Sequence, residues 1–469
     1  FLIAMGPLAL GVLWLVFERT RFGVLVRAAT QDREMAAALG VNQARLFTAV
    51  FCLGSGLAGL GGALQIPRES VAQGMDLAII AEVFVVTVVG GMGSILGAYL
   101  AAVLIAMLNA FGILILPEIT LIVAFAAMAV VLVIRPYGLL GRPPSAPESH
   151  PPPDVRMGAL SGRGWLVVLA GFAVLPLFVG DFLVVLATDI VVLGVFAASL
   201  QFLMGPGGMV SFGHAAYFGA GAYGAALLSH HFGVGMIGGL AAAPVAAGVA
   251  ALLFGWFCVR LTGVYLAMLT LAAAQIVWAA AVQMQEYTGG DDGLTGIWPA
   301  SWASSNDAYY YLALAGGVIV VAILRRAASA PFGMALRAGR DAPLRAEAIG
   351  VDVRRQKWFA FTLAGMLAGL AGGMFVYQKG SVFPDAAAIP QSIDALVVVL
   401  LGGVDHLVGA LIGAGTFRYL EDSLNQFQFW RAFLGGLILL IAIAAPGGMT
   451  GLYPQLTGLA GRLRRRPAA

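Results

Sequence analysis

Charge is what this sequence has least of. Of its 469 residues only 10% are Asp, Glu, Lys or Arg, against about 25% in a soluble domain. Lysine is nearly missing: Lys357 and Lys379 are the only two, and every other basic residue is arginine. The two cysteines, Cys52 and Cys258, both lie in apolar runs and suggest neither a disulfide nor a metal site. No nucleophile–base set and no metal-ligand spacing appear, so neither an enzyme nor a cofactor is expected. A phosphate-binding G-x-x-x-x-G-K-[ST] loop is excluded, because each lysine follows a glutamine and not a glycine. The ten-residue alternation of barrel strands is also missing. No signal peptide is visible.

What fills the space is apolar. The chain is 60% hydrophobic, with a mean hydropathy of +0.92. Apolar runs recur at about 20 residues, the length that spans the hydrocarbon core. The expected class is therefore all-α: a polytopic helical membrane protein. The 63 glycines and many alanines fit helices that approach closely in lipid, and a genomic bias toward Ala, Gly and Arg contributes as well.

The runs divide into about 15 spans. One covers residues 1–17, and the sequence opens at Phe1 inside that run without a methionine, which predicts a piece of something longer. Four follow, at about 46–65, 77–91, 93–116 and 119–134. From Arg135 to Gly164 the chain turns proline-rich, with seven prolines between Pro136 and Pro153, and this predicts an extended, semi-rigid linker. Six spans come next, at about 165–180, 182–204, 209–229, 234–259, 263–285 and 309–324. The last four are at about 358–377, 393–404, 406–420 and 430–445, where the two near 400 are short enough to be one broken span.

Two charged islands interrupt this pattern. The first holds Arg19, Arg21, Arg27, Arg33 and Arg45; the second runs from Arg325 to Lys357. Short loops rich in arginine face the cytoplasm. Four spans after each island bring the chain back inside, in agreement with Arg135, Arg142 and the RLRRR tail from Arg462. The acidic loop starting at Glu286 falls outside.

The islands are copies of one another. A shift of 310 residues aligns Gly23 with Gly333, Arg27 with Arg337, Gly40 with Gly350, Val41 with Val351, Arg45 with Arg355 and Phe51 with Phe361. LAGLGG from Leu57 answers LAGLAG from Leu367. Pro136 and Gly138 answer Pro446 and Gly448. The chain thus contains two paralogous units in parallel orientation. In each island the helix-start signals are Asp32 and Asp341 with Pro343, the stops are Gly40 and Gly350, and Asn42 and Asp352 cap the next span. This predicts short helices over 33–39 and 342–349, too short to persist without a docking surface. The plainer reading is a positively charged inside loop and no more.

These residues resemble the coupling loop of the branched-chain amino acid ABC importer permeases, with Arg-Ala, a short Ala-rich helix, then LGVN or IGVD before an arginine. QFLMGPGGMVSFGHAAYFGAGAYGAALLS from Gln201 is similar to that family's early-helix signature, and TGGDDGLTGI from Thr288 to its external loop. LLGGVDHLVGALIGAG from Leu400 is answered by VVGGMGSILGAYL from Val88. Residues 1–142 resemble the last five spans of one subunit, 143–163 a Pro-rich cytoplasmic linker, and 164–469 the complete partner subunit. Two departures stand out: the first half has no copy of SFGHAAYFGAGAY, and Val404–His406 replaces a small or glycine residue. The resemblance implies two separate ABC ATPase subunits, an external substrate-binding protein, and residence in a bacterial inner membrane. It assigns coupling to Arg27, Glu34, Gly40, Asn42, Arg45, Arg337, Glu347, Gly350, Asp352 and Arg355. The lipid bilayer and a small-molecule substrate are the other expected partners, and nucleic acid is not.

An ion-coupled secondary carrier is the competing class, because such folds also use repeats and broken helices. It needs charged groups inside the membrane. Glu82 and Asp394 each lie eight residues before a Gly-Gly pair, near the outer ends of their spans, and are candidate gate residues or solvated interfacial acids. His214 and Tyr217 are candidates for the substrate pathway, beside the small residues Ala216, Ala220 and Gly224, with the membrane interface as the other place for His214. The substrate stays open between branched-chain amino acids and the urea, amides or aromatic acids of related systems.

Overall fold

The computed structural model describes residues 2–67, 70–71, 75–115, 120–141, 170–404, 406–427, 429–445 and 447–451. The chain forms two compact units, Phe1–Ser149 and His150–Ala469. Most of the expected linker and the start of the expected span at 165–180 lie outside the described residues.

Unit 1 is helical. α1 (Leu2–Arg19) is followed by two helices of the first island, α2 (Arg21–Gln31) and α3 (Arg33–Ala38), and then by α4 (Gln43–Gln65). α5 (Met75–Gly90) and α6 (Ile95–Ile115) meet at a glycine break, and α7 (Thr120–Ile134) closes the unit. The residues after α7 do not start an extended linker, as the prolines suggested. They turn back onto the break: Leu139 donates its N–H to the Val89 carbonyl at 2.8 Å and Leu140 to that of Gly90 at 3.1 Å. Gly138, at φ +80°, allows this approach, since a Cβ there would stand 2.5 Å from the Val88 carbonyl oxygen.

Unit 2 repeats this plan after four further helices, α8 (Asp181–Met204), α9 (Ala215–Phe232), α10 (Met236–Cys258) and α11 (Gly263–Gln283). Then come α12 (Asn306–Ser329), the island helices α13 (Pro331–Asp341) and α14 (Pro343–Ala348), and the long α15 (Val353–Lys379). α16 (Ile389–Gly402) and α17 (Leu407–Leu424) turn by 113° at their break, and α18 (Trp430–Ala444) follows. Two short strands, β1 (Leu294–Thr295) and β2 (Ser381–Val382), pair antiparallel across the loops predicted to lie outside.

The core of unit 2 is the packing of α9, α10 and α15 on one another. Small residues make it possible. A Cβ at Gly221 would stand 2.3 Å from Gly369 Cα, and one at Gly369 would stand 2.1 Å from Ala247 Cβ. Lipid supplies no hydrophobic drive between helices, so close backbone approach and dispersion hold them together.

Among the described residues seven helices are long and apolar enough to cross a membrane: α4, α6, α8, α10, α11, α12 and α15. The bent α16–α17 pair raises this to eight if it is one span, and shorter apolar helices lie at Ile79–Gly90, Thr120–Ile134 and Ala432–Ile441. Fewer helices pass than the 15 runs counted in the sequence, partly because the run at 165–180 is described only from residue 170. α9 carries Tyr217, Tyr223, Ser229, His230 and His231 and is covered by protein on most of its length, so its composition need not match lipid. The broken pairs are simply short.

Candidate functional site

Each island is a helix–helix–turn on the end of a long helix. The sequence reading gave one short helix per island; the structure adds α2 and α13 ahead of it. They cross the ends of α1 and α12 so closely that only glycine fits. A Cβ at Gly23 would stand 1.9 Å from the Phe17 carbonyl oxygen, and one at Gly333 2.3 Å from that of Ala328. Arg27 and Arg337 secure the same crossings. Arg27 donates to the Phe17 carbonyl and lies 3.6 Å from Glu18; Arg337 donates to the Ala328 carbonyl at 3.3 Å. Both guanidinium groups meet the negative end of a helix. They hold the loop's own shape.

The start of the short helix differs between copies. Asp32 caps α3, its carboxylate accepting from the Met35 N–H at 2.9 Å. Asp341 does not cap α14, contrary to expectation. It is the last residue of α13 and pairs with Arg340 at 2.6 Å, and α14 begins instead on Pro343 with Ala342 at its cap. Proline fixes the helical φ at the first position and needs no capping oxygen.

The stop is the same in both. Gly40 sits at φ +85° and Gly350 at φ +90°. Val41 N–H returns to the Ala36 carbonyl at 3.1 Å and Gly40 N–H to that of Ala37 at 2.9 Å; Val351 and Gly350 make the same pair of bonds to Ala346 and Glu347 at 3.0 and 2.9 Å. This left-handed glycine cap satisfies the last carbonyls of a six-residue helix. Two residues on, the Asn42 side chain accepts from Arg45 N–H at 3.1 Å and that of Asp352 from Arg355 N–H at 2.9 Å, which starts α4 and α15. Arg355 also pairs with Asp352 at 3.0 Å on the open surface, a contact that contributes little to stability.

The exposed side of the two short helices carries the surprise. Glu34 and Glu347 are exposed, as a solvated face requires. Beside them Leu39 is 78% exposed and Ile349 79%, at the same position of the repeat. Val24 and Met334, also equivalent, are both exposed. Only Ala36 and Ala346 of the short helices turn inward. The sequence reading missed these apolar tips; the signal was there, as a large aliphatic residue at the same repeat position, directly before the stop glycine of each loop.

The remaining candidates separate. Glu82 is exposed and lies in the middle of α5, not near its outer end, which corrects its expected depth. Asp394 is half-buried near the start of α16. His214 and Tyr217 are wholly buried in unit 2. His214 Nε2 lies 2.8 Å from Ser199 Oγ, with its ring stacked on Phe196, and Tyr217 meets Phe361 edge-on. The Val404–His406 departure sits where Gln201 of α8 donates to the carbonyls of Gly403 at 2.9 Å and Val404 at 3.2 Å. A glutamine there holds the break of α16 and α17 through main-chain atoms, whatever side chains the turn carries; residue 405 lies outside the described residues.

The comparison with known families matches this arrangement. The model of the branched-chain amino acid transport system permease component matches residues 2–132 and 182–443. The chain belongs to this family. It is a multi-pass membrane permease. The high-affinity branched-chain amino acid transport system permease protein LivM of Escherichia coli (strain K12) is 28% identical over 334 residues, 65% of this chain and 79% of the relative. The probable branched-chain amino acid transport permease protein LivH of Methanocaldococcus jannaschii is 37% identical over 132 residues, 26% of this chain and 41% of the relative. The autoinducer 2 import system permease protein LsrC of Klebsiella pneumoniae is 34% identical over 125 residues, 25% and 36% of the two chains. No solved structure matches.

Proposed function

We propose that the chain is the membrane-spanning part of an ATP-driven importer of branched-chain, hydrophobic amino acids in a bacterial plasma membrane. Residues 1–142 correspond to the closing spans of one permease subunit and 164–469 to its paralogous partner, joined by the proline-rich stretch at 143–163. The separation of the chain into two compact units, 1–149 and 150–469, supports this division. Two separate ATPase subunits seat on the islands, one each, and an external binding protein delivers substrate from the other side. The named relatives favour branched-chain amino acids over the urea, amides or aromatic acids of related systems.

One observation carries the coupling role. Two loops that stop on the same glycine cap each hold an aliphatic side chain at the same repeat position, Leu39 or Ile349, largely exposed, and Leu344 stands out beside Ile349. Burial of such a side chain contributes about 1.5–3 kcal/mol, and a partner surface is what collects it. Glu34 and Glu347, at different repeat positions, make the two contacts unequal. Asp394, near the start of α16, is assigned to the outer gate; Glu82, in the middle of α5, is not. His214 and Tyr217 are assigned to the substrate pathway, supported by the buried His214 Nδ1 and Tyr217 hydroxyl, which have no hydrogen-bond partner among the described residues.

The test is co-purification with the ATPase subunits, then uptake of leucine by proteoliposomes in competition with urea and aromatic acids. Leu39→Asp with Ile349→Asp is expected to abolish co-purification and ATP-driven uptake without altering the size-exclusion profile of the chain. Retention of both would overturn the coupling assignment. Uptake that follows an ion gradient with no ATPase present would make the protein a secondary carrier.

A further inference from the structure

A cavity of about 400 Å³ opens on one side of unit 2, between α8, α12 and α17. Val191, Leu314, Val318 and Leu411 give it apolar walls, and α12 forms its length. At one end the chemistry changes: Arg325, Arg326 and Ser329 line it there. Both arginines are exposed, and among the described residues neither is paired with an acid. The two other arginines close by in sequence are differently employed, Arg337 on a helix end and Arg340 on a carbonyl and an aspartate.

The dimensions identify the occupant. Leu314 to Arg325 is eleven residues of helix, about 16 Å at 1.5 Å per residue. One leaflet of hydrocarbon is about 15 Å, half of a core of roughly 30 Å. A groove one leaflet long, apolar along its walls and doubly cationic at the end predicted to face the cytoplasm, fits one molecule: a membrane phospholipid with an anionic headgroup. Basic pockets at the cytoplasmic ends of spanning helices recognise such headgroups, and guanidinium groups match phosphate oxygens in geometry as well as charge. The other copy lacks this arginine pair, and its Arg19, at the repeat position of Ser329, lies over the Trp14 ring. The positions 310 residues earlier are Leu15 and Val16.

We propose that this groove binds an anionic phospholipid of the cytoplasmic leaflet, with one acyl chain along α12 and its phosphate between Arg325 and Arg326. The proposal uses the inward orientation of the second island and is independent of which solute the permease carries. The bound lipid fills the space between α12 and α17 beside the island, at the point where α12 hands over to α13. It marks unit 2 alone.

The test uses the whole chain in phosphatidylcholine nanodiscs doped with phosphatidylglycerol that carries a photoreactive group on one acyl chain. Labelling is expected on the peptides of segment 314–326. Arg325→Gln with Arg326→Gln is expected to lower it about thirtyfold, about fivefold for each arginine, while the corresponding double lysine variant keeps most of it. Val318→Trp, which fills the groove and leaves both arginines in place, is expected to lower it too. Equal labelling of this segment by photoreactive phosphatidylcholine would overturn the proposal. So would wild-type labelling of the double glutamine variant. Suppression by inorganic phosphate as complete as by unlabelled phosphatidylglycerol would show a site for a free anion, and would equally overturn it.

Discussion

α4 and α15 occupy the same place in the two copies of the repeat, and they live in different surroundings. Of the most apolar stretch of α4 only 6% is buried; of α15, 72%. Both carry the same glycine seam. Along α15 the seam is filled: a Cβ at Gly369 would stand 2.1 Å from Ala247 Cβ, and one at Gly372 2.0 Å from the Phe218 carbonyl oxygen. Along α4, a Cβ at Gly59 or Gly62 would meet no atom of the described residues within 4 Å. The partners of the seam are α9 and α10, and unit 1 has no copy of the SFGHAAYFGAGAY stretch that opens α9. A small-residue stripe is thus written locally, and whether it is buried depends on helices that lie far away in sequence.

The islands teach the converse. Their backbones agree closely, with the stop glycines at φ +85° and +90° and the caps of the following helices at φ −74° in both. Their anchoring does not agree. Arg340 donates to the Gly205 carbonyl at 2.6 Å and ties the second island to the turn after α8; Thr30, at the same repeat position, bonds only to its neighbour Arg27. The shape of the loop and its apolar tip recur, while the means of holding it in place are particular to each unit.

The sharpest way to break the first comparison is Gly369→Val. Its side chain would wedge α10 away from α15, and overpacking of this kind costs about 3 kcal/mol at the upper end. Little folded protein is expected on size exclusion. Gly59→Val is expected to stay within about 0.5 kcal/mol of the parent, and equal losses at the two sites would show that the seam of α4 is covered after all.

The anchoring difference comes next in size. Arg340→Ala removes a charged donor from a carbonyl and is expected to cost about 2 kcal/mol, seen as a lower midpoint of thermal unfolding. Thr30→Ala is expected to be close to neutral. If Thr30→Ala costs as much, the second island is not specially anchored.

The smallest effect on stability, and a large one on coupling, belongs to the stop glycines. Among the described residues no atom crowds Gly40 or Gly350, so the cost of valine there is conformational, about 1–2 kcal/mol. Gly40→Val and Gly350→Val should therefore shift unfolding equally, with asparagine restoring most of the loss. ATP hydrolysis and uptake measured side by side then sharpen the comparison: unequal uncoupling at equal stability would identify the loop that carries more of the drive. Full ATP-driven uptake in both variants would remove the coupling role from the islands.

Much of this was legible in the residues alone. The helical membrane class, the two parallel copies, the glycine stops and the Asn42 and Asp352 caps follow from composition and from contacts within five residues. Reading Asp341 as a cap failed because two local signals competed, a carboxylate and a proline two residues later, and the arginine beside the carboxylate decided between them. The depth of Glu82 was misjudged because apolar runs give helix ends only to within a few residues.

The sequence by itself determined what depends on near neighbours and on period. It set where the chain enters lipid, where helices stop and restart, and that the plan is used twice, since capping, glycine φ and hydropathy act over a turn or two of chain. Tertiary structure alone decided the rest. It put His214 and Tyr217 in the core, filled one glycine seam and left its copy open, left Leu39 and Ile349 standing in water, and brought α8, α12 and α17 around a groove that ends on Arg325 and Arg326. Each of these is a matter of which distant helix comes close. In lipid that is settled by the fit of small residues against backbone, which no pattern along a single helix reveals.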